Sequence, residues 1–400
     1  MKVHVRRVPI SVPGFTFAGV ASGMKPSGRR DVALLASDLP AVVAAAFTQN
    51  RVVAAPVIVA REHARGGQAR AVLVNSGIAN ACTGPRGLAT VKAACAEAGR
   101  LLGVDPRAVL PCGTGKIGVQ VPRVRFLAGI GAAYRALSPG SFWAAAEAIT
   151  TTDAFPKAGV RCLDLGGSRV TLAAMAKGAG MIAPNMATLL VFVLTDARIA
   201  AGPLRSALGS ALAGSFNAIT VDGDTSTNDT TIALANGAAN NVPPKAGSPA
   251  HRRFTASLTG LLADLARLVV LDGEGATRCI EIVVRGAQSA RDAARVARAI
   301  GNSTLAKAAF YGGDPNWGRV LCAAGYAGVP MDPARCRVWI GRVPVVRGGV
   351  GCGNEMAAAR AMRSREFRVT LDLGLGLGSA RLLTADLSPA YVRFNSAYST

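Results

Sequence analysis

A threonine that follows a small residue is the first candidate for chemistry in this sequence. The segment that begins at Lys177 runs through a Gly-rich turn and Pro184, and it delivers Ala187 and Thr188 into the start of an apolar run. The Thr188 hydroxyl is a potential nucleophile, and the small Ala187 leaves the carbonyl of the bond between them accessible. A threonine at the start of a strand is also ordinary β-propensity, so this segment alone leaves both interpretations open.

Three other motifs are only partly present. Residues 113–118 satisfy GxGxxG, but Pro111 interrupts the approach, and no acidic residue that could bind a ribose lies about 20 residues further on. A phosphate-binding loop would need Gly at position 110 and Ser or Thr at position 117, where the chain has Leu110 and Ile117. The acidic run that starts at Asp222 begins like a calcium loop but lacks its glycine and its final glutamate. The sequence therefore predicts neither a nucleotide cofactor nor a calcium site.

The composition is that of a globular protein with a strongly basic balance. The 400 residues are 50% hydrophobic and 17% charged, which is enough apolar surface for a sizeable core and excludes wholesale disorder. The net charge of +22 comes mainly from scattered arginines without a basic run, so we attribute it to composition bias and expect no nucleic-acid partner. The eight cysteines contain no CxxC pair and the three histidines lie far from them, which predicts reduced thiols and no metal site. No window of 18 residues is uninterruptedly apolar, so we expect a cytoplasmic protein without a membrane span.

The order of predicted elements indicates α/β layering. Short β-branched runs alternate with Ala-rich helical stretches in the first half, as in the helical pattern over 86–102. Residues 236–250 predict a surface loop, and the one-sided apolar stripe from Phe254 to Val269 predicts a helix. From about residue 280 the pattern restarts with strands and a helix and ends in an irregular tail, which predicts a smaller α+β domain.

Long and rare strings of residues run through the chain in a fixed order. They are Gly23-Met24-Lys25, Asn75-Ser76-Gly77, Ala79-Asn80-Ala81-Cys82-Thr83-Gly84, Thr114-Gly115, Thr151-Thr152-Asp153, the run from Lys177 through Thr188, Phe216-Asn217, residues 221–229 (VDGDTSTND), Gly273-Glu274-Gly275-Ala276-Thr277, residues 313–319 (GDPNWGR), and Asn395-Ser396 with Tyr398 and Thr400. In this order they resemble the ornithine acetyltransferases of arginine biosynthesis, also called glutamate N-acetyltransferases. The resemblance covers almost the whole chain and is far more specific than a single glycine motif.

The resemblance implies that the chain cleaves itself between Ala187 and Thr188. The products would be an α chain of residues 1–187 and a β chain of residues 188–400. A hydroxyl nucleophile needs a base, and an N-terminal threonine carries one in its own freed α-amino group, whose ordinary pKa of about 7.7 to 8.0 suits proton transfer at neutral pH. Thr188 is thus implied as the nucleophile of both self-cleavage and acetyl transfer.

The resemblance also implies a fold and an assembly. A layered αββα-type main domain would span residues 1–279 and carry the nucleophile. A smaller α+β domain would span residues 280–400, and its tail would return to the active site. The implied assembly contains two α and two β chains.

Specific site residues follow from the resemblance. The Thr114 hydroxyl and the Gly115 backbone N–H are implied as the oxyanion hole, and a Gly-rich turn suits that role because backbone amides can approach a reacting carbonyl closely. The implied substrate-binding residues are Thr151, Lys177, Thr188, Glu274, Asn395 and Thr400. Their types suit an N-acetylated diamino acid, with Lys177 and Thr151 assigned to its carboxylate and Glu274 to its ammonium. 

Three positions depart from the usual family strings near the implied oxyanion hole. Gly113 stands where serine is common, Lys116 where a small aliphatic residue is common, and Ile78 where asparagine is common. The oxyanion pair is intact, so these departures concern substrate preference more than the chemistry. The acidic residues of the 221–229 string are expected to form a structural turn network.

The implied activity is acetyl transfer from N2-acetylornithine to glutamate through an acetyl ester of Thr188, without a metal or nucleotide cofactor. The residues leave open whether acetyl-CoA also serves as a donor. An aminopeptidase or amidase with an N-terminal nucleophile would instead direct water at the acyl-enzyme, and the set of Lys177, Glu274, Asn395 and Thr400 argues against it. A basic nucleic-acid-binding module would show salt-sensitive retention on DNA.

Overall fold

Two β-sheets organise the part of the chain that the structure describes. The computed structural model describes residues 7–183 and 189–397. The first sheet contains the strands β1 (Phe15–Val20), β2 (Val32–Phe47), β3 (Gln68–Ile78), β4 (Val109–Lys116), β5 (Lys157–Leu165), β6 (Ser168–Lys177), β7 (Leu190–Thr195) and β9 (Thr230–Ala235). The second sheet contains β8 (Ile219–Thr220), β10 (Cys279–Ala287), β11 (Arg337–Ile340), β12 (Val343–Arg347), β13 (Val350–Gly351), β14 (Glu366–Asp372) and β15 (Gly378–Ala385).

The strand orders show how distant parts of the chain become neighbours. The first sheet runs β4-β3-β2-β9-β7-β6-β5, with β1 beside β2, and the second runs β13-β12-β11-β14-β10-β15-β8. The pairs β3–β4 and β7–β9 are parallel, whereas β6 and β7 are antiparallel. Consequently Lys177 at the end of β6 pairs with Leu190 at the start of β7, which in turn pairs with Thr230 at the start of β9.

Helices cover the sheets. They are α1 (Ala55–Ala64), α2 (Gly84–Leu102), α3 (Arg123–Arg135), α4 (Phe142–Ala148), α5 (Ala201–Ala213), α6 (Pro249–Leu271), α7 (Ala290–Asn302), α8 (Thr304–Gly312), α9 (Trp317–Gly325), α10 (Glu355–Ala361) and α11 (Pro389–Ala397). Together with the two sheets they confirm the predicted layered α/β fold.

The central strands of the first sheet are buried on both faces. Leu172 and Ala174 of β6 pack into a core with α5 and α6, whereas Ala173 and Met175 pack into a second core with α4. Alternate residues of a strand point to opposite faces, so a strand with two cores must be apolar throughout, as β6 is in its second half. This rigid double-sided packing fixes the end of β6, where Lys177 stands.

Helix α6 confirms the predicted apolar stripe and joins the two sheets. Its buried residues include Phe254, Leu258, Leu265 and Val269, and the same core includes Leu383 of β15. Among the described residues α6 is the one helix long and apolar enough to cross a membrane, by length and composition only, and half of that window is buried inside the protein. A core helix passes the same test, and the packing of α6 against both sheets is that of a core helix.

The prediction of an irregular C-terminal tail is wrong. Strand β15 lies inside the second sheet between β10 and β8, and helix α11 follows it. The Gly-rich residues 373–378 that lead into β15 hide the strand pattern, and α11 has no buried residue that would give a helical stripe. The domain division at residues 279 and 280 stays a prediction. Strand β10 begins at Cys279 in the second sheet, to which the short β8 also belongs.

Candidate active site

The end of strand β4 holds the two residues predicted as oxyanion donors. Thr114 is buried, and Gly115 has a φ of +125°, which side chains rarely adopt. A Cβ at Gly115 would overlap the backbone of Gly77 in β3, so the close approach of the two strands requires glycine. Gly115 therefore presents its backbone beside the Thr114 hydroxyl without a side chain of its own in the way.

Neutral amide side chains hold the backbone around this turn through hydrogen bonds to its carbonyl groups. The Nδ2 of Asn228 donates hydrogen bonds to the carbonyl oxygens of Gly113 at 2.9 Å and Ala79 at 2.7 Å. The Nδ2 of Asn75 donates to the carbonyl oxygen of Ile78 at 2.7 Å. These bonds fix the backbone around the oxyanion donors with dipoles and without a net charge. We name the following group the oxyanion wall: Asn75, Gly113, Thr114, Gly115 and Asn228.

The departures from the family strings are accommodated here. A Cβ at Gly113 would lie 2.9 Å from Oδ1 of Asn75, so the glycine leaves room for that amide. Ile78 is buried and joins the core with helices α1, α2 and α3. Lys116 is exposed at the end of β4.

Lys177 and Thr151 form a pair of hydrogen-bond donors. The Nζ of Lys177 donates to Oγ1 of Thr151 at 3.2 Å. Burial lowers the pKa of Lys177, and the carboxylates of Asp153 and Asp229 oppose that shift. An ammonium beside a hydroxyl is a suitable arrangement for a carboxylate ligand.

Glu274 stands on the turn after α6 and is held from two sides. Thr152 Oγ1 donates to its Oε1 at 2.7 Å, and Asn395 Nδ2 donates to its Oε2 at 3.1 Å. A Cβ at Gly180 would overlap the Glu274 carboxylate in this position, so a larger residue there would displace that side chain. The second bond comes from α11, so the C-terminal helix reaches the site as the sequence predicts for Asn395. We name the following group the ligand wall: Thr151, Thr152, Lys177, Glu274 and Asn395.

The attachment of α11 explains how the tail reaches the site. Ser388 Oγ donates to the carbonyl oxygen of Gly275 at 2.6 Å. Gly275 has a φ of +66°, and a Cβ there would overlap the backbone of Tyr391. The first turn of α11 therefore packs directly on the backbone beside Glu274.

A buried ammonium links two of the chain segments that carry the ligand wall. Lys157 Nζ contacts Oδ1 of Asp153 at 2.7 Å and Oδ2 of Asp272 at 2.6 Å, and all three side chains are buried. Burial alone would raise the pKa of Asp153, but the ammonium groups of Lys157 and Lys177 outweigh it and hold the pKa below its ordinary value. Burial raises the pKa of Asp272 to about 6 despite its contact with Lys157. We name Asp153, Lys157 and Asp272 the ion triad.

Residues of both walls line one pocket of about 220 Å³. Six residues that the sequence predicts for the site line it, namely Thr114, Gly115, Thr151, Lys177, Glu274 and Asn395. The predicted residues Ala187, Thr188 and Thr400 lie outside the described residues. Leu189, which follows Thr188 in the chain, lines the same pocket.

The chain just before the predicted cleavage bond is also anchored. Asp222 accepts hydrogen bonds from the N–H groups of Met181 at 2.6 Å and Ile182 at 2.8 Å. Met181 has a φ of +56°, an uncommon conformation that these bonds help to hold. Asp222 therefore acts in a turn network, as predicted.

Buried Asp229 also lines the pocket. Burial raises its pKa well above the ordinary value, and its Oδ2 has no hydrogen-bond partner among the described residues.

Several contributors to the site were not singled out from the sequence. Thr152 and Asp153 belong to one of the family strings, but the sequence assigned no role to them. Asn228 belongs to the 221–229 string, of which only the acidic residues were given a role. Tyr391 and Lys157 carried no sequence signal, yet Tyr391 lines the pocket and Lys157 is the centre of the ion triad. Within residues 7–183 and 189–397 no group of three or more His, Cys, Asp or Glu side chains could hold a metal ion.

Comparison with known proteins places this chain in a family. The sequence model of the ArgJ family matches residues 16–400. The arginine biosynthesis bifunctional protein ArgJ of Geobacter sulfurreducens is 46% identical over 393 residues, which is 98% of this chain and all of that protein. The protein of the same name from Symbiobacterium thermophilum is 47% identical over 390 residues, 97% of each chain.

A solved structure agrees with the sequence matches. The crystal structure of the arginine biosynthesis bifunctional protein ArgJ from Bacillus halodurans superposes with a TM-score of 0.50 at 38% identity. The match covers 52% of this chain and 98% of that one. With near-complete coverage at over 40% identity to the curated relatives, the chain belongs to the ArgJ family.

Proposed function

We propose that this chain is an arginine-biosynthesis acetyltransferase that transfers the acetyl group of N2-acetylornithine to glutamate. The observation that carries the proposal is that the predicted oxyanion donors Thr114 and Gly115 and the whole ligand wall line one pocket together with Leu189, the residue bonded to Thr188. Family membership and the names of the curated relatives support the same conclusion.

The proposed first step is self-cleavage. The Thr188 Oγ attacks the carbonyl carbon of Ala187, the peptide C–N bond breaks, and the acyl group moves to oxygen while the nitrogen takes up a proton. Water then hydrolyses the ester and leaves Ala187 as a carboxylate and Thr188 as a free N-terminal residue.

Acetyl transfer then proceeds in two half-reactions. The α-amine of Thr188 accepts the hydroxyl proton while Oγ attacks the acetamide carbon of N2-acetylornithine. The C–N bond breaks, ornithine leaves with the proton, and an acetyl ester of Thr188 remains. The amine of glutamate attacks that ester, so that N-acetylglutamate leaves and the Thr188 hydroxyl is restored.

The oxyanion wall would stabilise each tetrahedral intermediate. The Thr114 hydroxyl and the Gly115 N–H are the proposed donors to the developing O⁻, and each donor of this kind contributes roughly 3 to 4 kcal/mol. The hydrogen bonds from Asn228 and Asn75 hold the backbone of this turn in place before the reaction begins. The donors therefore need little reorganisation as charge develops.

The ligand wall would bind the two fixed charges of the donor substrate. Lys177 with Thr151 is proposed to bind the carboxylate, and Glu274 the side-chain ammonium, with Asn395 holding Glu274 in place. Thr400 is proposed as a further binding residue. We propose the working enzyme to be a cytoplasmic assembly of two α and two β chains, and acetyl-CoA to be a second donor to be tested.

The experiment is an acetyl-transfer assay of the purified protein with N2-acetylornithine and glutamate, run in parallel with acetyl-CoA as the donor and with glutamate left out. We expect ornithine and N-acetylglutamate to form in equal amounts. Release of acetate and ornithine at the same rate without glutamate would identify an amidase and overturn the proposal. Formation of N-acetylglutamate in the assay with acetyl-CoA would show that acetyl-CoA is a second donor.

A further inference from the structure

The ion triad joins two of the four chain segments that supply the ligand wall, and Asp153 also bonds to a third. Asp153 precedes β5, Lys157 is the first residue of β5, and Asp272 follows the last residue of α6. The sequence separation between Lys157 and Asp272 is 115 residues, so the contact is fully tertiary.

Each carboxylate of the triad also holds a backbone group beside a ligand-wall residue. Asp153 accepts hydrogen bonds from the N–H of Thr151 at 3.0 Å and from the N–H of Gly178, next to Lys177, at 2.7 Å. Asp272 accepts from the N–H of Ala154 at 3.1 Å. Asp153 thus fixes the end of the pocket where Thr151 and Lys177 stand.

The turn that carries Glu274 is linked to the same ammonium through Asp272. Glu274 lies two residues after Asp272 on the same turn, and its N–H donates to the carbonyl oxygen of Ala179 at 2.9 Å. Lys157 thus contacts carboxylates of both segments, and the Glu274 N–H bond to Ala179 is a second link between the segments that carry Lys177 and Glu274.

Stability is a weak explanation for this arrangement. A buried ion pair costs desolvation energy that its attraction often fails to recover, and apolar replacements of similar volume are frequently neutral or stabilising. An ion triad with fixed hydrogen bonds instead fixes the positions of the backbone segments that it joins, because its charged groups tolerate little displacement in a low-dielectric interior.

We propose that Asp153, Lys157 and Asp272 are positioning residues that set the distance between the carboxylate-binding and ammonium-binding ends of the pocket, and thereby select the side-chain length of the diamino acid. The inference rests on the proposed function, in which Lys177 and Glu274 bind those two groups. A substrate with one more methylene would place its ammonium too far along the pocket. A difference of one methylene is typically worth about 10- to 200-fold in discrimination.

The test is the substitution Asp272→Asn, which keeps the size of the side chain and removes its charge. The measurements are kcat and KM for N2-acetylornithine and for N2-acetyllysine, together with the extent of self-cleavage. We expect KM for N2-acetylornithine to rise about tenfold or more, kcat and self-cleavage to change by less than about twofold, and the preference over N2-acetyllysine to fall by about tenfold. A merely structural role would not change the ratio between two substrates.

The matched control is Asp196→Asn. Asp196 is also a buried carboxylate whose pKa is raised by burial, and it accepts a hydrogen bond from the N–H of Thr171 at 2.7 Å near the opposite end of β6. We expect both the KM values and the substrate ratio of this variant to match those of the unsubstituted enzyme.

Unchanged KM and an unchanged substrate ratio in Asp272→Asn would overturn the inference. If that variant does not fold, Asp272→Glu is the second variant, because it retains the charge on a longer side chain. We expect it to raise KM by a smaller factor and to leave kcat nearly unchanged. An unchanged KM in Asp272→Glu would equally overturn the inference. Failure of the proposed function is a separate outcome, because the unsubstituted protein would then show no transfer from N2-acetylornithine to glutamate.

Discussion

The two walls of the pocket are built from different kinds of interaction. The oxyanion wall is held by neutral amides and by glycines whose strands approach closely. The ligand wall carries the charged groups Lys177 and Glu274, and its backbone is hydrogen-bonded to the charged ion triad.

The difference follows from when the charge is present. A substrate carboxylate and ammonium are charged before and after the reaction, so fixed ions of opposite sign can bind them throughout. An oxyanion exists only along the reaction path, and a permanent cation at that place would also bind anions in the ground state. Oriented dipoles at the oxyanion wall favour the transition state selectively.

The largest expected effect is a loss of kcat when an oxyanion donor is removed, because the oxyanion wall acts in the transition state and the ligand wall acts in binding. We expect Thr114→Ala to leave the protein folded and KM nearly unchanged and to lower kcat by about 10²- to 10³-fold, the usual loss for one oxyanion donor. Steady-state kinetics on the purified variant give both constants. The control is Thr90→Ala, which removes a hydroxyl that bonds to the Arg86 carbonyl on helix α2, away from the pocket. A Thr114→Ala enzyme with normal kcat would remove Thr114 from the oxyanion wall.

The next effect concerns the tail and appears in KM. Removing residues 395–400 deletes the Asn395 bond to Glu274 and the proposed binding residue Thr400. We expect KM for N2-acetylornithine to rise well above tenfold, equivalent to about 1.5 to 3 kcal/mol, with self-cleavage intact. Ser396→Ala is the control, because its hydroxyl bonds to the Arg393 carbonyl within the helix. If KM of the truncated enzyme did not change, the tail would be a spectator.

The smallest effect is a pH dependence of binding. The Asp272 carboxyl, with its pKa raised to about 6, is charged above that pH and neutral below it. The charged groups that face it are Lys157 and Asp153, and Glu274 lies on its own turn. Protonation weakens its contact with Lys157, so we expect KM for N2-acetylornithine to rise by a few fold as the pH falls from 7 to about 5. The Asp272→Asn enzyme should lack that part of the rise, whereas contributions from Asp222 and Asp229 would persist in both profiles.

The sequence predicted the parts of the molecule that rest on local patterns. The apolar stripe from Phe254 to Val269 gave helix α6, because a one-sided periodicity needs only a sheet to cover it. The family strings contained most of the residues that line the pocket, including Thr114, Lys177 and Asn395, but not Tyr391. Interactions between distant segments could not be predicted. Lys157 is a single lysine at the start of a strand, and nothing in its neighbourhood points to a carboxylate 115 residues away.

The C-terminal helix illustrates the same limit. Helix α11 has no buried residue and therefore no stripe for a sequence pattern to detect. It forms where Ser388 bonds to the Gly275 carbonyl and the bare backbone of Gly275 admits its first turn. The glycine and the helix are separated by more than a hundred residues, and only the folded sheets bring them together.

The most direct test of the central claim is the intact mass of the purified protein after a brief incubation with N2-acetylornithine in the absence of glutamate. We predict two chains separated between Ala187 and Thr188, with one acetyl group on the chain that begins with Thr188, lost again when glutamate is added. Thr188→Ala should remain a single chain without the acetyl group. An active enzyme that stays one intact chain, or that carries its acetyl group on the other chain, would contradict the account.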